Sequence, residues 1–210
     1  MIADSQQRVR EERMRMSKVR RVLGAALDGE AALADPIPAY LACADYLKHS
    51  LDRLHAQDHR LWQRLDPHAG PDNVAFRQKL DHLKERLAAS EQALAGRVAA
   101  RDALRGQGAC RRAAFEKEAR AFLHVFLNIL AASRHSTLAE EEEKFAGADW
   151  DYVADHTAEA AARELRLFGQ VENAAPGVID ALPPIAPPPR PLAAQRADPL
   201  GAAALGSGHR

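Results

Sequence analysis

The amino-acid sequence predicts an all-α protein, and three observations lead to that fold class. Alanine is abundant, aromatic residues make up only 5% of the chain and no run of β-branched residues occurs, which favours helix over sheet. Apolar residues recur at alternating spacings of four and three, the period of a helix face packed in a bundle. Turn signals divide the chain into four such segments. We therefore predict an up-down-up-down four-helix bundle over residues 35–175, with an N-terminal helical extension over 1–34 and a disordered, Pro-rich tail over 176–210.

The first helix of the predicted bundle begins at Asp35-Pro36, an N-cap residue followed by proline at the first helical position. It ends at Asp66-Pro67, because the residue before a proline avoids the α region. Its apolar stripe contains one acidic residue, Asp58, and is otherwise formed by Tyr40, Ala44, Leu47, Leu51, Leu54, Leu61 and Leu65.

The other three helices are predicted from the same periodicity and from glycine-containing turns. The second runs from Asp72 to Gly106 or Gly108, the third from about Ala109 to about Phe145, and the fourth from Asp149 to about Ala175. The third is apolar on nearly every face between residues 121 and 132, so we expect it to be the most buried helix.

The two flanking segments differ from the bundle in composition. Residues 1–34 are charged and Arg-rich with sporadic apolar positions, and Gly24 and Gly29 argue against a firm place in the core. Residues 176–210 are rich in proline, alanine and glycine without periodicity, so they cannot bury enough apolar surface to offset their ordering entropy. We expect the first segment to form an extension and the second to be disordered.

Composition and motifs also limit the classes of function that can be expected. The 29 basic and 29 acidic residues balance, and the basic residues are dispersed, so neither nucleic acid nor an anionic membrane is an expected partner. Two distant cysteines, no signal core and no apolar run of membrane-spanning length predict a soluble, cytoplasmic protein. The sequence has no Gly-rich phosphate loop, G-x-S-x-G or H-E-x-x-H motif. No enzyme class is therefore indicated, although catalysis stays an open question.

Four histidines are predicted to lie at matching depths in the bundle. His55 precedes Ala69 by 14 residues and His82 follows it by 13, while His135 precedes Gly147 by 12 and His156 follows it by nine. If both turns lie at one end, a rise of ~1.5 Å per residue places the four within roughly 8 Å along the axis. Ligands of a metal in a bundle must converge from facing helices in this way.

Carboxylates accompany these histidines. Asp58 occupies an apolar slot, and a buried carboxylate is costly unless it is paired or binds a cation. A salt bridge to an arginine on a facing helix, metal ligation and orientation of a ligating histidine are therefore the alternatives for Asp58. Glu140 follows His135 by five residues, Glu159 follows His156 by three, and His59 is an alternative ligand one turn after His55.

These motifs resemble those of the hemerythrin-like (HHE cation-binding) proteins. The resemblance covers about residues 36–173 and rests on HxxxH at His55/His59, HxxxxE at His135/Glu140 and the acidic end of the third helix. It implies a four-helix bundle around a di-iron centre that binds or senses oxygen or nitric oxide, or handles iron. This chain departs from the family pattern at Arg86, where the second helix would carry the glutamate of HxxxE.

The predicted metal is non-haem iron, with manganese or zinc as alternatives, because imidazole and carboxylate ligands suit all three. The candidate ligands are His55, Asp58, His59, His82, His135, Glu140, His156 and Glu159. The competing hypothesis is a non-enzymatic helical interaction or accessory protein without a metal. Its N-terminal segment or tail would then dock a protein partner.

Overall fold

The computed structural model describes residues 2–130, 137–155 and 157–181, and every regular element in these ranges is a helix. Short 3₁₀ turns lie at 66–68 and 108–111, directly after the second and the third α-helix. The all-α prediction is thus confirmed for the described part of the chain. Its α-helices are α1 (Ile2–Leu27), α2 (Ile37–Leu65), α3 (Val74–Gln107), α4 (Arg112–Leu130), α5 (Leu138–Lys144), α6 (Gly147–Ala154), α7 (Ala158–Ala174) and α8 (Val178–Ala181).

Helix α2 is central, because it packs against α1, α3, α6 and α7. The Asp35 carboxylate accepts the backbone N–H of Ile37 at 3.0 Å, which satisfies a donor at the start of the helix. The helix ends at Leu65, directly before Asp66-Pro67. The predicted bounds of this helix are therefore confirmed, and its buried stripe faces the other helices.

Helix α3 runs antiparallel to α2 after a longer turn than expected. Its N-cap is Asn73, whose side chain accepts the backbone N–H of Phe76 at 3.2 Å. Arg105 reaches Asp45 near one end of the pair, and the ammonium of Lys84 lies over the ring of Trp62 nearer the other. The connection itself is centred at Ala69 and Gly70, but these contacts show that the residues of α2 and α3 that face each other are not equidistant from it.

Helix α1 contributes to the main core, which differs from the expectation for residues 1–34. Met16, Val19, Leu23 and Ala26 repeat at spacings of three and four, and all four are buried in the larger apolar cluster. Gly24 faces open space, because an added Cβ would meet nothing within 4 Å, and it does not interrupt α1. The high charge of α1 does not keep it out of the core, because its charged residues also have partners inside the structure.

One such residue, Arg15, joins a buried network between α1, α2 and α7. The Glu164 carboxylate, whose residue is 2% exposed, accepts two hydrogen bonds from Arg15 Nε, at 2.8 and 3.0 Å, and one from the Tyr46 hydroxyl. A second buried pair joins Glu12 of α1 to Arg53 of α2 at 2.9 Å. Charged side chains thus fix the position of α1 against its neighbours.

Arg97 is buried without an acidic hydrogen-bond partner. The residue is 1% exposed, and its Nε and Nη1 atoms are buried without hydrogen bonds. Its contacts are a 3.3 Å bond from Nη2 to the carbonyl of Ala44 and the ring of Phe122, 4.5 Å from the guanidinium carbon. Burial lowers the pKa of Arg97 to about 10, so its charge is held in an unfavourable environment.

The third and fourth predicted helices are each interrupted. Thr137 is outside any helix and precedes α5, so the predicted span 109–145 contains α4 and α5 as separate helices, with residues 131–136 outside the described ranges. Asp155 has a left-handed φ of 42° and ends α6. Thr157 then caps α7 by accepting the backbone N–H of Ala160 at 3.1 Å. Asp155 and Thr157 are the local causes of the second interruption, which the apolar periodicity did not reveal.

The predicted tail begins with a short folded piece. Helix α8 contacts α1, and Val178 and Ile179 pack against the larger core. Residues 182–210 of the predicted tail lie outside the described residues. None of the helices in the described ranges is long and apolar enough to cross a membrane.

Candidate metal centre

The structure places His55 and His82 at different levels. His55 is buried, and its Nε2 lies 2.8 Å from the Ser90 hydroxyl on α3. His82 precedes Ser90 by eight residues, which corresponds to about 12 Å along the helix, and its Nδ1 lies 3.2 Å from Glu85 on the surface. The prediction paired residues at equal distances from Ala69, whereas α3 is shifted along α2, so that Ser90, 21 residues after Ala69, lies opposite His55, 14 residues before it.

Four of the other candidate ligands lie at the surface or outside the described residues. His59 is exposed and lies 3.3 Å from Glu91, while Glu159 is exposed in the first turn of α7. His135 and His156 lie outside the described residues. Within the described ranges, no group of three or more His, Cys, Asp or Glu side chains is arranged to hold a metal ion. The described helices alone therefore do not supply a di-iron ligand set.

Asp58 is the candidate ligand whose surroundings are most informative. Its side chain is 22% exposed, and Oδ1 lies 3.9 Å from Nη2 of Arg13, whose own side chain is 52% exposed. That distance exceeds a hydrogen bond, so the arginine pairing weighed from the sequence is present but loose. Burial raises the pKa of Asp58, and the nearby charges of Arg13 and Arg86 offset this only in part.

A second partly buried carboxylate, Glu141 of α5, lies within electrostatic reach of Asp58. Burial is the largest effect on Glu141 and raises its pKa, and the charge of Asp58 raises it further. The hydrogen bond donated by Thr137 Oγ1 at 2.6 Å and the charge of Arg13 act in the opposite direction. We call Asp58, Glu141 and Arg13 the carboxylate junction. The prediction from sequence named Glu140 in the run of four glutamates and not Glu141. The spacing of four residues between Thr137 and Glu141, which allows a side-chain hydrogen bond, was the feature of the sequence that pointed to Glu141.

Glu140 lies beside this junction, and one of its two carboxylate oxygens is already paired. One carboxylate oxygen forms an ion pair with Lys79 of α3, whereas the other, Oε2, is buried without a hydrogen-bond partner. A buried acceptor without a donor costs free energy until a proton donor or cation satisfies it. The region thus combines two carboxyl groups of raised pKa with an unsatisfied carboxylate oxygen, an arrangement that favours uptake of a proton or a cation.

The raised pKa of Asp58 leads to a testable pH dependence of stability. Because the pKa is higher in the folded state than its ordinary value of 3.8, ionisation of Asp58 lowers the free energy of unfolding as pH rises. Metal-free Asp58→Asn protein should match the parent near pH 3.5 and become more stable than the parent towards pH 7. Urea unfolding across this range measures the difference.

The control for this experiment is Asp52→Asn, which changes an exposed carboxylate on the same helix that pairs with Lys48. It should show no such gain between acidic and neutral pH. A metal-free Asp58→Asn protein that is less stable than the parent at pH 7 would mean that the Arg13 pair outweighs the burial of Asp58.

Comparisons of the whole chain with protein families, with curated proteins and with solved structures found no match.

Proposed function

We propose that this protein is a hemerythrin-like metal-binding protein whose metal lies at the carboxylate junction. The observation that carries the proposal is the approach of Asp58 and Glu141 from two different helices, each with a pKa raised by burial. In this proposal the four arms of the bundle are α2, α3, α4 with α5, and α6 with α7. Oxygen, nitric oxide or iron itself is the corresponding small ligand or cargo.

The charge balance at the junction supports a cation. The carboxylates of Asp58 and Glu141 both interact electrostatically with Arg13. Arg13 is half-exposed and too far from Asp58 for a hydrogen bond. A divalent ion that displaced this guanidinium would leave it in contact with water, at little desolvation cost. The unsatisfied oxygen of Glu140 is a further anionic group in the same region.

The proposed ligand set combines described and undescribed residues. Asp58 and Glu141 supply carboxylate oxygens, and Glu140 is an additional donor. His135, two residues before Thr137, and His156, directly after Asp155, remain the proposed imidazole donors. Iron, manganese and zinc all accept such mixed oxygen and nitrogen ligands, and a bound iron would supply a position for exchange of a small diatomic ligand.

Metal analysis of three proteins tests this proposal. The parent chain, reconstituted with Fe(II) without oxygen and then desalted, should retain one to two irons per chain. Asp58→Asn should retain less than a tenth of the parent amount, because it removes a charged donor. Asp52→Asn should retain the parent amount, because its carboxylate lies on the exposed part of α2. Equal iron in the two variants, or almost none in the parent, would contradict the proposal.

A second candidate function, a helical interaction protein without a metal, is favoured by a groove between α2 and α3. This groove encloses about 750 Å³. Leu94 and Val98 form part of its apolar floor, and charged residues including Lys48, Asp52 and Glu91 lie along its rim. An amphipathic helix of a partner could bind there through apolar anchors. A melting temperature that stays constant when iron is added after chelation would favour this candidate.

A further inference from the structure

A second pocket, between α1 and α4, is lined by several positively charged side chains. It encloses about 510 Å³, and the guanidinium-bearing residues on its wall are Arg20, Arg21 and Arg120. His124 also contributes, and Asp28 is the acidic residue on the wall among those that the structure describes. This pocket belongs to neither the carboxylate junction nor the α2–α3 groove.

The position of the arginines favours an anion inside the pocket. Arg20 is half-buried, and burial lowers its pKa to about 10; a nearby anion would stabilise the charged guanidinium. Arg120 donates a hydrogen bond to the carbonyl of Leu27 and thereby reaches the end of α1. Its side chain is half-exposed, 4.0 Å from the Asp28 carboxylate and 3.9 Å from Glu116, distances beyond a hydrogen bond. Arg120 thus remains able to orient a donor towards a ligand.

Charge complementarity indicates the class of anion. Among the described residues, three guanidinium groups line the wall together with the carboxylate of Asp28, and Glu116 lies 3.9 Å from Arg120, so positive charge exceeds negative charge here. A phosphate monoester carries about −1.5 to −2 charges at pH 7 and three acceptor oxygens, so it can accept hydrogen bonds from several of these guanidinium groups at once, more than a carboxylate with two oxygens. Guanidinium groups also bind phosphate through paired hydrogen bonds.

The rest of the pocket is apolar and open. Leu27 and Leu123 contribute apolar surface, and a Cβ added at Gly24 would meet nothing within 4 Å. This combination accommodates a small apolar group next to the charged wall. We propose that the α1–α4 pocket binds the phosphate group of a small organic phosphate whose apolar part lies against Leu27, Leu123 and Gly24.

The test uses phenyl phosphate as the probe and isothermal titration calorimetry of the full chain in EDTA, so that binding is independent of the metal site. The parent protein should bind phenyl phosphate more tightly than inorganic phosphate, because only the former has an apolar part. Arg21→Gln should weaken binding about tenfold or more, a cost of about 1.4 kcal/mol. Arg111→Gln, which removes the same charge from an exposed position outside the pocket, should bind as the parent does.

Gly24→Leu separates loss of the pocket from loss of the fold. Leucine has a higher helix propensity than glycine and meets open space here, so the melting temperature should stay constant or rise while phenyl phosphate binding is lost. Unchanged binding by this variant, or equal weakening by Arg21→Gln and Arg111→Gln, would overturn the proposal. So would binding to phosphatidylcholine vesicles that contain phosphatidic acid without any binding of phenyl phosphate, since the ligand would then be a membrane headgroup.

Discussion

A Glu164→Leu variant is expected to lose about 3–5 kcal/mol of unfolding free energy, the cost of removing one partner of a buried ion pair. The Glu164 carboxylate accepts hydrogen bonds from both Arg15 and Tyr46 in the interior between α1, α2 and α7. Leucine fills a similar volume but leaves the guanidinium and the hydroxyl without their acceptor. Urea unfolding at pH 7, followed by circular dichroism, measures the change.

Two further variants establish the cause of this loss. Glu172→Leu removes an exposed carboxylate from the same helix and should change stability by less than about 0.5 kcal/mol. The double variant Arg15→Met with Glu164→Leu should recover much of the loss, because both charges of the pair are gone. A double variant as unstable as Glu164→Leu alone would show that leucine packs poorly at this position and that the stranded charge is not the cause.

An Arg97→Met variant is expected to be more stable than the parent, by about 1–3 kcal/mol. The parent side chain is 1% exposed, and two of its nitrogen atoms have no hydrogen-bond partner. Methionine has a flexible apolar chain of related length, so it can occupy the space beside Phe122 without a buried charge. The gain is offset in part by loss of the bond to the Ala44 carbonyl and of the contact with the aromatic ring. Thermal and urea unfolding both measure the effect.

Arg101→Met is the matched comparison, four residues further along α3. Arg101 lies 3.2 Å from Asp45 and 2.7 Å from Asp102, so its removal should lower stability and leave Asp45 with only Arg105. The two substitutions should therefore differ in sign. If Arg97→Met also destabilises the protein, the Ala44 and Phe122 contacts outweigh the burial of the guanidinium.

The apolar periodicity predicted α2 and α3 well because local rules control their ends. Asp35 and Pro36 start α2, Pro67 follows its end, and Asn73 caps α3. The breaks at Thr137 and Asp155 were missed because their neighbours keep a helical pattern. Thr137 and Thr157 were both visible as potential N-caps, but an apolar stripe that continues across a break gives no signal of it.

The candidate site was harder to predict, because the position of a side chain along a helix depends on the turn that joins the helices. The contact of His55 with Ser90 shows that α3 is shifted along α2, which separates His55 from His82 although the turn lies where it was predicted. Asp58 was identified because it interrupts an apolar stripe. The same reasoning applies to Glu164, which precedes Val171 and Ala175 at helical spacing and is buried with them. The pattern gave no clear signal for Glu164, because the apolar residue next to it, Leu165, is 54% exposed.

The bond between Arg15 and Glu164 joins residues 149 positions apart, and this separation has a consequence for the order of folding. During synthesis α1 is made before α7, which contains the acceptor for its arginine. Until then Arg15 and Tyr46 have no Glu164 to bind, so α1 cannot complete its interactions early. Contacts of such long sequence separation slow folding, since a large loop must close before they form. We therefore expect stable docking of α1 to be a late step that requires nearly the whole described chain.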